Sequence, residues 1–248
     1  MEKEVKRRII KKYIFISFLL IAIIMSILLM VKYNVEGETN MPFKLSKIII
    51  KSSVDAQSNE SENLWDLDLM QNNDVYIYIE KNKNASSEEK IKSVKIERMT
   101  LVSKNKVGNI QVLLPTSNNI KTLFKDSTAD YLNKSIEYTA STLDNLERQE
   151  ICQDGGMLAI RVSNNGLGKY VANEGDEIQY NASLLEKAGI TEEDIKFTLE
   201  MDLIIQTEDD NKYKGTVSLD LPVDSFKNSG IVDKEITDFS NVIFKRSE

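Results

Sequence analysis

The chain has 248 residues, a net charge of −7 at pH 7, no histidine and a single cysteine, Cys152. Without histidine, these residues offer no Ser-His-Asp or Cys-His nucleophile and no His-ligated zinc or iron site, and one cysteine excludes an internal disulfide. The acidic balance argues against nucleic acid as a partner, because neutralising phosphates requires clustered Lys and Arg.

The first predicted element is a membrane-spanning helix over residues 13–31. These nineteen residues carry no charge, and at about 1.5 Å per residue they would span roughly 28 Å, close to the thickness of the hydrocarbon core of a bilayer. Tyr13 and Tyr33 mark its ends beside Lys12 and Lys32, as expected at the headgroup level. The segment is therefore long enough to cross a membrane once.

Two interpretations of this segment differ in whether it stays on the protein. A cleaved signal peptide typically has an apolar region of about 7 to 15 residues followed by a small-x-small cleavage site, and the best triplet here is only Val35-Glu36-Gly37. An uncleaved anchor is therefore favoured over a removed signal. Ala22 and Ser26 have the small-xxx-small spacing of closely approaching helices, although two small residues among many apolar ones need not act in this way.

The charges on either side of the segment predict its orientation. The basic leader, residues 1–12, contains six Lys or Arg and two Glu, whereas the remainder is acidic. Because positive charge is retained on the cytoplasmic side, we expect the N-terminus in the cytoplasm and the C-terminal domain outside, joined by a juxtamembrane linker at 32–42. The predicted location is the cell membrane, with a single pass, and the membrane is the partner of residues 13–31.

Alternation of apolar and polar residues predicts antiparallel strands through an ectodomain at 43–227. It begins at 43–50 and continues at 64–70 and 74–80. The polar residues 71–74 between the last two strands are good turn formers and predict a hairpin turn there.

Two further hairpins are predicted, from 92–102 into 110–115 and from 195–206 into 213–222. In the second, Phe197, Leu199, Met201, Leu203 and Ile205 share one face, and Pro115 and Pro222 end the outgoing strands. The two hairpins are alike, so the ectodomain would consist either of two similar halves, 43–115 and 155–222, or simply of ordinary antiparallel hairpins, which is favoured.

The residues between and after these hairpins predict smaller elements. Strands are expected at 132–140 and 157–163, a helical turn at 143–151, a turn at Gly155-Gly156 and a loop at 164–181. Short helices are expected at 183–189, between a Ser183 cap and Gly189, and at 191–194, where Thr191 and Asp194 would form a capping box. The polar tail, 228–248, would hold a last strand at 241–244.

These elements predict a mainly β protein in which one N-terminal transmembrane helix precedes an antiparallel β-sandwich of immunoglobulin-like architecture, with one or two short helices. The Cys-Trp-Cys pattern of true immunoglobulin domains is absent from the sequence, and Cys152 is expected to be a small buried or half-buried apolar residue.

Few residues suggest chemistry. The acidic loops 174–177 and 208–210 lack the spacing of a calcium loop. Asp66 and Asp68 would suit the carboxylate pair of a glycosidase, but aspartates on the wet face of a strand are commonplace. We therefore expect no catalytic residue, no cofactor and no metal ligand. Trp65, Tyr76 and Tyr78 are either an exposed aromatic patch for a protein or glycan partner or ordinary cross-strand packing residues.

The basic leader, single apolar span and β-rich remainder form a layout that resembles the uncharacterised single-span envelope proteins of low-GC Gram-positive bacteria. The resemblance covers the layout alone and carries over no functional residue. The leading hypothesis is a membrane-anchored extracytoplasmic binding or assembly module with a protein or cell-wall partner. Its alternatives are an accessory single-span subunit of a secretion or division complex and, less favoured, a cell-wall enzyme.

Overall fold

The structure is a computed structural model that describes residues 2–58, 66–83, 85, 88–114, 129–141, 151–173, 175–179, 182–223 and 231–247. It divides into two units, Met1–Thr39 and Asn40–Glu248. The second is called the two-sheet unit below.

The first unit contains helix α1, Glu2–Glu36. Its segment Ile10–Glu36 is apolar over most of its length, and the most apolar stretch is not buried against other residues. The helix ends at Gly37, whose φ of 75° is easily adopted by glycine and whose N–H donates to the Tyr33 carbonyl at 2.9 Å. One N-terminal helix is therefore long and apolar enough to cross a membrane, as the sequence predicted.

The two-sheet unit is mainly β, with strands β1 (Phe43–Ser58), β2 (Asp66–Lys81), β3 (Ile91–Ser103), β4 (Asn109–Leu113), β5 (Ile136–Thr139), β6 (Gly155–Val171), β7 (Phe197–Thr207), β8 (Lys212–Leu221), β9 (Ile231–Ile236) and β10 (Lys245–Ser247), and helices α2 (Ala182–Lys187) and α3 (Glu192–Ile195). Sheet 1 has the strand order β4-β6-β2-β1-β9 and sheet 2 has the order β10-β8-β7-β3-β5. All of their ladders are antiparallel. Each sheet combines strands from 43–115 with strands from 155–222.

The inner faces of the two sheets share one hydrophobic cluster. Its fully buried members include Phe43, Ile50, Ile77, Ile96 and Leu203. Burying side chains of this size stabilises a fold by about 1.5 to 3 kcal/mol each, so this cluster is the main source of stability.

Residues outside the long ladders close the gaps between the edges of the sheets. On the side of β4 and β5, Tyr131 donates its N–H to the carbonyl of Val112 in sheet 1 at 2.8 Å. Two residues later, Asn133 donates its N–H to the carbonyl of Met99 in sheet 2 at 3.0 Å. The stretch before β5 therefore bridges both sheets.

On the opposite side, residues 231–247, called the clip below, join the other two edges. β9 pairs with β1 and β10 pairs with β8. Between these strands, Phe239, Val242 and Phe244 pack against the core cluster. Gly215 on β8 leaves room for this segment, because a Cβ at that position would lie 3.0 Å from the ring of Phe244.

Sheet 1 extends beyond the shared core, and short helices cover this extension. A second hydrophobic cluster joins α2, α3 and the residues around them to β1, β2 and β6, through Val54, Leu67, Leu69, Leu167, Leu184, Leu185, Ile190 and Ile195. Gly189 follows α2 with a φ of 76°, as predicted. The carboxylate of Asp194 accepts from the N–H of Thr191 at 3.1 Å, which confirms the predicted capping box. Ser183 lies inside α2 rather than before it.

The turn predicted at 71–74 is wrong, because β2 runs through these residues without interruption. Gln71, Asn72 and Asn73 are buried and form a polar belt with Ser52 and Ser163. On the inner face of β2, Gln71 and Asn73 stand between Leu69 of the second cluster and Val75 of the core cluster. Gln71 and Asn73 hydrogen-bond each other within β2, while Ser52 on β1 donates to Asn73 and Ser163 on β6 donates to Asn72.

One of the two later hairpins is confirmed and the other is wrong. β7 and β8 pair from Phe197↔Leu221 to Gln206↔Lys212, and the predicted apolar face of β7 is buried. The strands at 92–102 and 110–115 belong to different sheets, since β3 pairs with β5 and β7 while β4 pairs with β6. The short loop between them carries the chain from sheet 2 to sheet 1.

Other predictions need smaller corrections. The predicted strands at 132–140 and 157–163 correspond to β5 and β6. β6 continues to Val171 through a register shift, so much of the loop predicted at 164–181 is strand. Gly155 and Gly156 begin β6 rather than forming a turn, and a Cβ on Gly155 would lie 2.5 Å from the Ile79 carbonyl oxygen. The last strand follows 241–244 instead of including it. The predicted turn at 143–151 lies outside the described residues, except for Ile151.

Candidate functional surface

The outer face of sheet 1 contains the predicted aromatic residues. Tyr76 lies between Ile49 on β1 and Ala159 on β6, and Tyr78 lies between Lys47 and Met157. Both tyrosines are only partly exposed. Trp65, the third member of the predicted patch, lies outside the described residues.

Each tyrosine interacts electrostatically with charged groups. The Lys47 ammonium lies 4.6 Å from the centroid of the Tyr78 ring, within the range of a cation–π interaction. Burial and the neighbouring Asp74 carboxylate raise the pKa of Tyr76 to about 12. Asp74 accepts two hydrogen bonds from Arg161, at 2.6 and 3.0 Å. The face therefore combines two aromatic rings with a fixed ion pair.

The predicted carboxylate pair lies farther along the same face. Asp66 and Asp68 alternate on β2, and Asp68 lies opposite Lys169 of β6, with 3.9 Å between Nζ and Oδ1. Both aspartates come from one strand, whereas the two carboxylates of a glycosidase stand on either side of the scissile bond.

Replacing both aspartates with asparagine, Asp66→Asn and Asp68→Asn, is expected to leave any cell-wall-dependent activity unchanged. The reason is that the two groups share one strand face instead of facing each other across a cleft. Release of soluble fragments from purified wall material by the parent and the double variant checks this. Turnover by the parent that the double variant loses would establish the enzyme alternative.

The predicted acidic loops are engaged with neighbouring side chains. Asp210 accepts from the Lys92 ammonium at 2.6 Å, which lowers its pKa, and Glu208 accepts from the Gln153 amide at 2.6 Å. In the other loop, the Asp176 carboxylate accepts from the N–H of Asn173 at 2.8 Å. Among the described residues, no group of three or more His, Cys, Asp or Glu could hold a metal ion. Glu174 lies outside them.

One charged group was not predicted from the sequence. Asp202 lies on the outer face of sheet 2 and is only 1% exposed. Its carboxylate accepts bidentate hydrogen bonds from Arg98, as well as bonds from Lys214 at 2.7 Å and Thr216 at 2.8 Å. Arg98 has a φ of 49° and lies in a β-bulge where the register with β7 shifts. Glu97 and Arg98 are consecutive charged residues that interrupt the alternation of the strand. This interruption was the one feature of the sequence that indicated a bulge here.

The titration of Asp202 should be visible in the stability of the fold. Burial alone would raise its pKa, but hydrogen bonds from Arg98, Lys214 and Thr216 outweigh burial and lower the pKa to about 2, from 3.8 in the unfolded chain. A carboxyl whose folded pKa is depressed contributes stability above its unfolded pKa, and this contribution is lost as the pH falls through the folded value. We expect Asp202→Asn to remove part of the decline in unfolding free energy between about pH 4 and pH 2.

Urea denaturation at a series of pH values, followed by circular dichroism, measures this decline. Asp209→Asn in the exposed turn after β7 is the matched control and should keep the slope of the parent protein. Equal slopes for Asp202→Asn and the parent would contradict the assignment.

A small cleft lies at one end of the two-sheet unit. It encloses about 290 Å³, and its lining combines Phe197 and Leu221 with Lys196, Asp220 and Lys234. Two of these charged groups interact with other side chains of the protein. Lys196 forms an ion pair with Glu193, and Asp220 accepts a hydrogen bond from the Thr198 hydroxyl. Its volume is at the lower end for small-molecule pockets.

The half-buried Cys152 is held locally, with its thiol donating to the Gly155 carbonyl. This agrees with the buried or half-buried position expected for it. Comparison of the chain with protein-family models, with curated proteins and with solved structures finds no match.

Proposed function

We propose that the chain is a membrane-anchored binding or assembly module of the cell envelope, with no catalysis of its own. The observation that supports this proposal is an exposed apolar helix, Ile10–Glu36, followed on the same chain by a unit with its own hydrophobic core. An apolar surface of this length is costly in water and favourable in a bilayer. The two-sheet unit would be an immunoglobulin-like sandwich outside the cytoplasmic membrane.

The orientation follows from charge. The leader before the span is basic and the remainder is acidic, and basic residues stay on the cytoplasmic side. The binding partner would then be a protein or cell-wall polymer outside the cell. The outer face of sheet 1, with its partly exposed tyrosines, is the candidate surface, because aromatic residues are enriched where proteins bind.

Protease treatment of intact, wall-stripped cells that express the protein with a tag at each end tests anchoring and orientation together. We expect the C-terminal tag to be lost, the N-terminal tag to be protected, and the N-terminal fragment to stay in the membrane fraction. A C-terminal fragment found free in the medium would show a cleaved signal peptide instead. Protection of the C-terminal tag in intact cells would reverse the proposed orientation.

A second candidate is an accessory subunit that acts through its membrane helix. It is favoured by one observation: Ala22 and Ser26 lie one turn apart, and the Ser26 hydroxyl donates to the Ala22 carbonyl at 2.8 Å. Both side chains are small, and the Ser26 hydroxyl already has a hydrogen-bond acceptor within the helix. This face of the helix can therefore approach another helix closely.

Exchanging residues 13–31 for an unrelated apolar span of equal length separates the two candidates. A binding module should keep its function, because the two-sheet unit is unchanged. An accessory subunit should lose its function, because the helix itself makes the contact. The measurement is rescue of a deletion strain, with membrane fractionation to confirm that both forms are equally anchored.

A further inference from the structure

The clip, residues 231–247, completes both sheets but is held mainly at the surface. Along β9, Ile231 is 63% exposed and Asp233, Lys234 and Glu235 are also exposed. The ion pair between Asp233 and Lys51, at 3.3 Å, joins two half-exposed side chains, and such pairs contribute about 0 to 1 kcal/mol. None of residues 231–247 is fully buried, although five apolar side chains of the clip pack against the core cluster. An edge segment without a fully buried side chain opens locally at a lower cost than the fold as a whole.

The rest of the two-sheet unit is built without the clip. The long ladders β1–β2, β2–β6, β3–β7 and β7–β8 involve none of its residues. An acceptor for the clip would remain after its release. It consists of the edge of β1 at 48–53, the space beside Gly215 and the edge of β8 at 212–214.

We propose that the clip is exchangeable and that the acceptor binds the clip of a second copy of the same chain. Unpaired strand edges are templates for another strand. A second copy carries the identical segment and therefore fits the acceptor, including the space that Gly215 leaves for Phe244. Exchange of an identical element is a low-cost route to dimers. This deepens the proposed assembly role and rests on the proposed anchoring, which would concentrate copies in one membrane.

Intermolecular disulfides test the exchange directly. Two full-length chains are prepared in a Cys152→Ser background, one with Ser53→Cys on β1 and the other with Ile231→Cys on β9. These positions are register partners. The chains are mixed in detergent, reconstituted together into lipid vesicles and oxidised. If the clip of one copy pairs with β1 of another, a disulfide-linked heterodimer forms.

The matched control uses a hairpin that is not expected to exchange. Thr198 and Asp220 are register partners on β7 and β8. One chain carries Thr198→Cys and the other carries Asp220→Cys, so a disulfide between them forms only through chance collisions or contacts through α1. We expect a several-fold higher heterodimer yield from the clip pair than from the control pair. Equal yields would overturn the proposal.

A doubly substituted chain adds a second criterion. Placing Ser53→Cys and Ile231→Cys on one chain and oxidising it before mixing locks the clip onto its own β1. We expect this lock to prevent exchange with a differently tagged copy and expect reduction to restore the exchange. Exchange that continues in the locked form would contradict the proposal.

The two proposals fail separately. If the chain stays in the membrane but the clip pair links only at the control level, anchoring stands and exchange is overturned. If the chain is released from the membrane but the clip pair still links above the control in solution, exchange stands and anchoring is overturned.

Discussion

Replacing Asn73 with alanine is expected to lower the free energy of unfolding of the two-sheet unit by about 3 to 5 kcal/mol. Asn73 is completely buried. Its carbonyl oxygen accepts from Ser52 at 2.7 Å and Gln71 at 2.8 Å, and its amide donates back to Gln71 at 2.9 Å. Alanine would leave these groups without their partner, at about 1 to 3 kcal/mol for each unsatisfied polar group, and would also leave a cavity.

Urea denaturation in detergent, followed by circular dichroism of the strands, measures this loss. Asn109→Ala on β4 is the matched control, since Asn109 is exposed and surface substitutions usually change stability by about 0.5 kcal/mol or less. Similar midpoints for the two variants would mean that residues 71–74 form a solvated turn, as the sequence alone suggested.

Placing two carboxylates in the centre of α1, with Leu20→Asp and Ile24→Asp, is expected to abolish membrane association. Both native side chains are exposed on the helix, where the lipid chains would surround them. An aspartate at the centre of a membrane helix costs about 2.5 to 3.5 kcal/mol, so the pair costs roughly 6 kcal/mol. Charges one turn apart also repel each other.

Membrane fractionation followed by alkaline carbonate extraction measures the result. The double variant should move to the soluble or aggregated fraction. The control, Leu20→Ile with Ile24→Leu, should stay with the membrane, because it keeps the apolar character. If the aspartate variant resists carbonate as well as the parent protein does, α1 is not an anchor.

The sequence correctly predicted the elements that are determined by the pattern of apolar and polar residues within one short segment. The apolar helix needs only an uninterrupted run of residues, and the β7–β8 hairpin needs alternation on either side of a polar turn at 208–211. The Thr191 and Asp194 capping box is likewise local, because its two residues are three positions apart. In each case, the residues that determine the structure lie within one short stretch of the sequence.

Predictions failed where a distant partner decides the structure. Gln71, Asn72 and Asn73 are turn formers in isolation, but Ser52 and Ser163 are hydrogen-bonding partners that keep them within a strand. The partner of β3 was misassigned for a similar reason, because a hairpin and a crossing between sheets begin with the same alternating pattern. Strand pairing of this kind depends on contacts that no short segment encodes.

The surface features were predictable only in part. The alternation predicted over 74–80 is found in the structure, with Tyr76 and Tyr78 at alternate positions on the outer face of β2. Their partial burial is set by neighbours on β1 and β6 that the sequence did not connect to them. Asp202 was missed because an aspartate at a polar position of an alternating strand, two residues after Glu200, gives no sign of Arg98 and Lys214, which come from two other strands.

The position of the clip has a consequence for biosynthesis. The ribosome synthesises β1 early and β9 late, so the edge of β1 has no β9 to pair with until nearly the whole unit has been made. During that interval, open strand edges would be exposed to other chains, and such edges favour aggregation. Non-local pairing of this kind also folds slowly. We therefore expect newly synthesised chains to require a chaperone until residues 231–247 have paired with the two sheets.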